Sequence, residues 1–164
     1  MIRELVPTVV IALWVLGCNV VPPAASPSAT SRAGAVPFDD VAQTANGNYD
    51  GGPAIIVGTT DAAESTIIRS VPGIAKRPGR VLLIAMQGSQ RTAGFAIRID
   101  KVERDADRLL VRATFITPAP GAVTAQVLTA PAHVIAIAPN ELTGIHDVRL
   151  LDGAGVERSR TTVP

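Results

Sequence analysis

Cys18 is the single cysteine of this 164-residue chain, and it stands directly after a short apolar run that ends Val15-Leu16-Gly17. A lone cysteine has no intramolecular disulfide partner, and no second cysteine or histidine lies near it in sequence to suggest a metal. The chemistry left to it is that of a nucleophilic thiol beside a small residue, Gly17. Other chemistry-bearing residues are sparse. His133 and His146 sit among apolar neighbours in stretches that read as strands, which makes them edge or surface residues rather than metal ligands or general bases. Asp147 falls on the opposite strand face from His146, so the two side chains diverge. No Gly-x-Ser-x-Gly elbow occurs. The span from Gly88 to Gly94 lacks the Gly-Lys-Ser or Gly-Lys-Thr ending of a phosphate loop. Asp39-Asp40 and Asp105-x-Asp107 read as solvated turn charges, because the second pair lacks the further ligands of a calcium loop. No catalytic residue, no metal and no cofactor is expected.

The surroundings of Cys18 resemble a bacterial lipoprotein signal. Arg3 supplies a positive charge partly offset by Glu4, Leu5 to Leu16 forms an apolar core, and Val15-Leu16-Gly17-Cys18 is similar to a lipobox. The resemblance implies that the Cys18 thiol receives diacylglycerol, that palmitate can label it, and that the bond between Gly17 and Cys18 is cut. Residues 1–17 are then a signal peptide. A transmembrane helix is the first alternative, but Leu5 to Leu16 spans only about 18 Å at 1.5 Å per residue, against a hydrocarbon core of about 30 Å. An ordinary secretory signal is the second, and it leaves the cysteine at the boundary unexplained. Asn19 in place of an aspartate leans towards an outer membrane, if the cell has one. The expected location is the bacterial cell envelope, with the chain held to a membrane by its lipid.

Residues 18–37 are rich in Pro, Ala and Ser, as in Pro22-Pro23-Ala24-Ala25-Ser26-Pro27. Such a stretch buries too little apolar surface to offset its ordering entropy, so it reads as a flexible tether. Residues 38–164 have the size of one domain. A net charge of +1 and 3% aromatic residues do not suit a nucleic-acid partner, which needs a basic stripe and stacking rings.

Most of the domain alternates with the period of two expected of half-buried strands. Val81 to Met86 is continuously apolar and suits a central strand covered on both faces. Phe95, Ile97 and Ile99 share one face, with Arg98 and Asp100 on the other. Arg104 to Asp107 reads as a polar turn, and Arg108 to Thr117 as the next strand, with Leu109, Val111, Ala113 and Phe115 together. Val123 to Leu128 and His133 to Ile137 read as two more strands, and a final hairpin turns at Asp152-Gly153. One short helix is predicted from the capping pair Asp61 and Glu64 to the break at Val71-Pro72-Gly73. The fold class that follows is mainly β: an antiparallel β-sandwich or small barrel with one short helix.

The order of turns over residues 81–138 resembles the C-terminal domain of the protease-complex subunit PrcB family. Gly88, Thr92, Gly94, Pro118, Pro120, Gly121, Gln126 and Pro131 carry the resemblance. Ala93 stands where that family usually has glycine, and Phe95 where it usually has tyrosine, so a contact made by a tyrosine hydroxyl is lost. The resemblance implies a non-catalytic lipoprotein that associates with a surface protease and supports its assembly or stability. Gly88, Gly94, Pro118, Pro120, Gly121 and Pro131 have a structural reading, as turn residues that set positive φ, close approach or rigidity. Gln90, Arg91 and Ala119 have a functional one, as side chains that project from rigid loops towards a partner. The expected partner is another envelope protein, such as a protease. The alternative is a protease-inhibitor-like or small-ligand-binding lipoprotein, whose Gly- and Pro-rich loops enter a cleft.

Overall fold

Val81–Met86 (β4) is apolar without alternation because both of its faces are covered. The computed structural model, which describes residues 34–163, places β4 in the middle of a four-stranded sheet. Its neighbours are Ala132–Ile137 (β7) on one side and Ala54–Val57 (β3) on the other, with Phe38–Thr44 (β2) beyond β7. A second sheet has five strands. Gly34–Ala35 (β1), Ala96–Asp105 (β5), Arg108–Ile116 (β6), Asp147–Leu151 (β8) and Glu157–Thr162 (β9) lie in the spatial order β1-β5-β6-β8-β9. All neighbouring strands are antiparallel except β6 and β8, which run parallel. Gly17, Cys18 and the rest of the expected signal lie outside the described residues. No helix among the described residues is long and apolar enough to cross a membrane.

The sheets pack face to face. Leu83, Ala85, Ile135 and Ile137 of one meet Ile97, Val102, Leu109, Val111, Val148 and Leu150 of the other. The opposite face of the four-stranded sheet, with Leu82, Ile84, Met86 and Val134, is covered by Ile67 of the helix Asp61–Ser70 (α1) and by Val71. Both sheets stay open at their edges, so the architecture is a sandwich and not a barrel.

Local chemistry explains most of the element ends. The helix stops at Ser70 because Val71 precedes Pro72 and takes an extended conformation. Its cap is one residue earlier than expected: the Thr60 side chain, not Asp61, accepts a hydrogen bond from the Ala63 amide at 3.2 Å. In β5 a bulge between Ile99 and Lys101 shifts the alternation by one, so that Ile97, Ile99 and Val102 all face the core. The expected polar turn at Arg104–Asp107 is tighter than read. The pairing of β5 with β6 continues to Asp105 opposite Arg108, which leaves Ala106 and Asp107 as the turn.

Three further expectations are corrected. Gly34 to Val36, read as tether, belong to the fold: β1 pairs with β5, and Val36 is buried with its amide bonded to the Val102 carbonyl at 2.8 Å. Phe115 is only half-buried at the margin of the core, with the Arg158 guanidinium 5.8 Å from its ring centre. Val123 to Leu128 is not a strand, although Val, Thr and Leu supply the residue types for one. No neighbouring strand edge pairs with it, and Val123 is fully exposed.

Candidate functional site

Two loops leave the same end of the sandwich core and brace each other. The first, residues 87–95, joins β4 to β5, and the second, residues 117–131, joins β6 to β7. Gln87 anchors their base, its amide donating to the Pro131 carbonyl at 2.9 Å and its side-chain Nε2 to the Ile116 carbonyl at 3.1 Å. Gln90 and Thr129 then exchange both backbone hydrogen bonds, at 2.8 and 2.9 Å. The Thr129 hydroxyl donates to the Thr92 carbonyl at 3.1 Å, and the Ala93 amide donates to the Ala125 carbonyl at 3.0 Å.

The glycines and prolines hold this geometry. Gly88 is buried with φ near +91°, and a Cβ there would lie 2.7 Å from the Gly51 carbonyl oxygen, so only glycine fits. Gly94, at φ +93°, sits against Pro118, whose Cγ would be 3.0 Å from an added Cβ. Ala119-Pro120-Gly121-Ala122 forms a turn closed by the Ala122 amide on the Ala119 carbonyl at 3.0 Å. Pro120 and the positive φ of Gly121 occupy the two central positions that a type II turn assigns to them. Pro131 is buried where β7 begins.

The residues expected to project are placed unequally. Arg91 and Ala119 are exposed, and Arg91 forms no ion pair among the described residues. Gln90 is half-buried in the bridge to Thr129. What the sequence reading missed is the apolar content of the second loop. Val123 is 103% exposed, Leu128 78% and Val127 49%, while Ile116 at the loop's base is 41% exposed. The strand expected over Val123 to Leu128 gave no sign of this exposure, which follows from the lack of a pairing edge for the segment among the described residues. Beside Leu128, a cleft of about 650 Å³ opens between the second loop and Tyr49 and Asp50.

A second concavity, of about 440 Å³, lies where β2 and β7 approach β5, and His133, Asp40, Gln43, Arg98 and Asp100 line it. His133 is buried on the central strand β7, not at an edge or on the surface as expected, whereas His146 is exposed and precedes β8. The Ile99 amide donates to His133 Nδ1 at 2.8 Å, which fixes the proton on Nε2, and Nε2 lies 3.1 Å from an Asp40 carboxylate oxygen. Burial pushes the imidazole below the usual histidine range, against the opposing pull of Asp40. Burial also tends to raise the Asp100 carboxyl. The Thr114 hydroxyl at 2.6 Å and Arg98 at 2.7 Å outweigh that and hold it below the ordinary carboxylate range. Both imidazole nitrogens are therefore engaged, and neither has a lone pair free to accept a substrate proton. The arrangement ties two sheets together. No group of three or more His, Cys, Asp or Glu among the described residues is placed to hold a metal ion.

Residues 81–138 match the family described as PrcB C-terminal. That span comprises β4, β5, β6 and β7, two antiparallel pairs that face each other as the centre of the sandwich, together with both braced loops. No curated protein and no solved structure matches the chain.

Proposed function

Since residues 81–138 belong to the PrcB C-terminal family, we propose that the chain is a non-catalytic accessory lipoprotein of the bacterial envelope, whose β domain binds another envelope protein. A protease is the partner class that the family suggests, with assembly or stability of that protease as the benefit. The observation that carries the reading is the apolar surface of Val123, Val127 and Leu128, held out by a loop braced at Gln90, Ala93 and Pro131. These bonds fix part of the loop before binding, which lowers the entropy lost on contact. Diacylglycerol on Cys18 would keep the domain at the membrane where such a partner resides, because two acyl chains give stable anchoring and one does not.

The paired test uses membrane-extracted full-length chain. Val123→Ser with Leu128→Ser, and separately Arg91→Ala, should melt like the wild type and recover less partner from detergent-solubilised envelopes. Truncating a hot-spot residue typically costs about 2 kcal/mol, roughly thirtyfold in affinity. Unchanged recovery with unchanged melting would leave the loops as turns only. Cys18→Ser tests the anchor separately: it should abolish palmitate labelling and leave an uncleaved precursor, whereas an unlabelled wild type would exclude the lipid.

A further inference from the structure

We infer that the cleft beside Leu128 receives an arginine side chain of the partner polypeptide, with the apolar residue next to that arginine resting on Leu128. This deepens the contact surface proposed above and rests on it. Charge sets the sign of the occupant. Of the residues that line the cleft, Asp50 alone is charged. It is exposed and forms no ion pair among the described residues. The donors an anion would need are largely spent. The amides of Asn46, Gly47, Asn48, Ser89, Thr129 and Ala130 all donate within the protein. The Asn48 side chain gives its Nδ2 to the Arg69 carbonyl at 3.3 Å, which leaves its Oδ1 as an acceptor. A cleft with a free carboxylate and few free amides suits a cation that brings its own donors.

Shape selects arginine among the cations. Tyr49 lines the same cleft and is half-buried against the core. A guanidinium pairs with a carboxylate through two N–H groups and stacks on an aromatic ring at the same time, whereas an ammonium is a compact point charge. Leu128, 78% exposed, belongs both to the cleft and to the apolar surface proposed above, so one short segment meets both. Across residues 45–52, 87–95 and 117–131 the charged side chains are Asp50 and Arg91, and Arg91 does not line the cleft. A second copy of this chain would have to offer that Arg91, and seating it would bury the apolar surface that the partner contact uses.

The probe is a capped peptide of sequence serine-leucine-arginine-leucine-serine, compared with versions that carry citrulline or glutamate in place of the arginine. Each is titrated against the isotope-labelled full-length chain in detergent at low salt and followed by amide chemical shifts. The arginine peptide should shift the amides of residues 46–50, 89 and 128–130, bind severalfold more tightly than the citrulline peptide, and weaken as salt is added. Asp50→Asn should melt like the wild type, because Asp50 is exposed and unpaired among the described residues, and should erase the preference for arginine over citrulline. The proposal fails if the arginine peptide does not bind, if the shifts fall elsewhere, if citrulline or glutamate serves as well, or if Asp50→Asn keeps the preference. It also fails if sedimentation shows dimers that Arg91→Ala dissolves, since the occupant is then a second copy. Partner recovery with the Val123 and Leu128 variants judges the broader contact surface on its own. A loss of recovery there without an arginine preference here removes this inference alone.

Discussion

The amide nitrogen of Ile99 lies 2.8 Å from His133 Nδ1 and donates its hydrogen to it, so that a side chain of one sheet completes the hydrogen bonding of a strand in the other. At the bulge of β5 no strand lies alongside to take that amide, since β1 pairs only with Glu103 and Arg104. Gln43 does the same for the neighbouring carbonyl, its Nε2 donating to Ile97 O at 2.8 Å. An exposed edge is thereby closed by two side chains.

This relationship makes stability depend on pH. Protonated His133 would turn an N–H towards the Ile99 N–H, two donors facing each other. Burial and the Arg98 charge disfavour the cation, while Asp40 and Asp100 favour it, and the net shift is downward. The unfolded chain therefore takes up a proton at a higher pH than the folded one, and its ordinary value is about 6.5. The contribution is complete above that value and is lost as pH falls towards the depressed folded value. Urea denaturation from pH 7 to pH 5 should show a steeper loss for the wild type than for His133→Asn, which can accept the same amide without titrating. His133→Ala should cost about 1 to 3 kcal/mol at pH 7, because a buried N–H is left unpaired. Equal pH slopes for wild type and His133→Asn would refute the assignment.

Core and margin should separate cleanly on β5 and β6. Ile97 is fully buried, so Ile97→Ala should cost about 2 to 5 kcal/mol. Phe115 is half-buried, and its truncation should cost less than the about 3 to 5 kcal/mol typical of a core phenylalanine. Arg98→Ala, on the solvent side with an exposed ion pair to Asp100, should change stability by less than about 0.5 kcal/mol. Chemical denaturation ranks the three, and a Phe115 effect larger than that of Ile97 would contradict the packing described.

Gly88 and Gly121 both have positive φ, at +91° and +77°, but only Gly88 has neighbours in the way. Gly121→Ala meets open space and bears backbone strain alone, about 1 to 2 kcal/mol. Gly88→Ala must also displace the Gly51 and Gly52 backbone, so its melting temperature should fall further. Equal losses would mean that residues 50–52 yield freely.

The helix cap gives a local test. Thr60→Ala removes the acceptor for the Ala63 amide and should cost about 1 kcal/mol. Asp61→Ala leaves that bond intact and should cost less, measured by thermal melting of each variant.

By itself the sequence determined what depends on neighbours along the chain. The period of two placed Ile97, Leu109 and Val111 on a buried face, the unbroken run Val81–Met86 marked a strand covered twice, and Pro72 ended the helix. Gly94 and Pro120-Gly121 announced turns through backbone restrictions that hold in any context. The tertiary structure alone decided what depends on a distant partner. Val123–Leu128 has the residues of a strand, but a strand exists only where another edge meets it, and none does. Gly34 to Val36 have the composition of a tether, yet the free edge of β5 at Glu103 and Arg104 draws them into a sheet. His133 looked like an edge residue because its role is set by a bulge 34 residues away, at Ile99. Periodicity carries the local half of a fold; register, bulges and edges are long-range agreements that no single stretch of sequence contains.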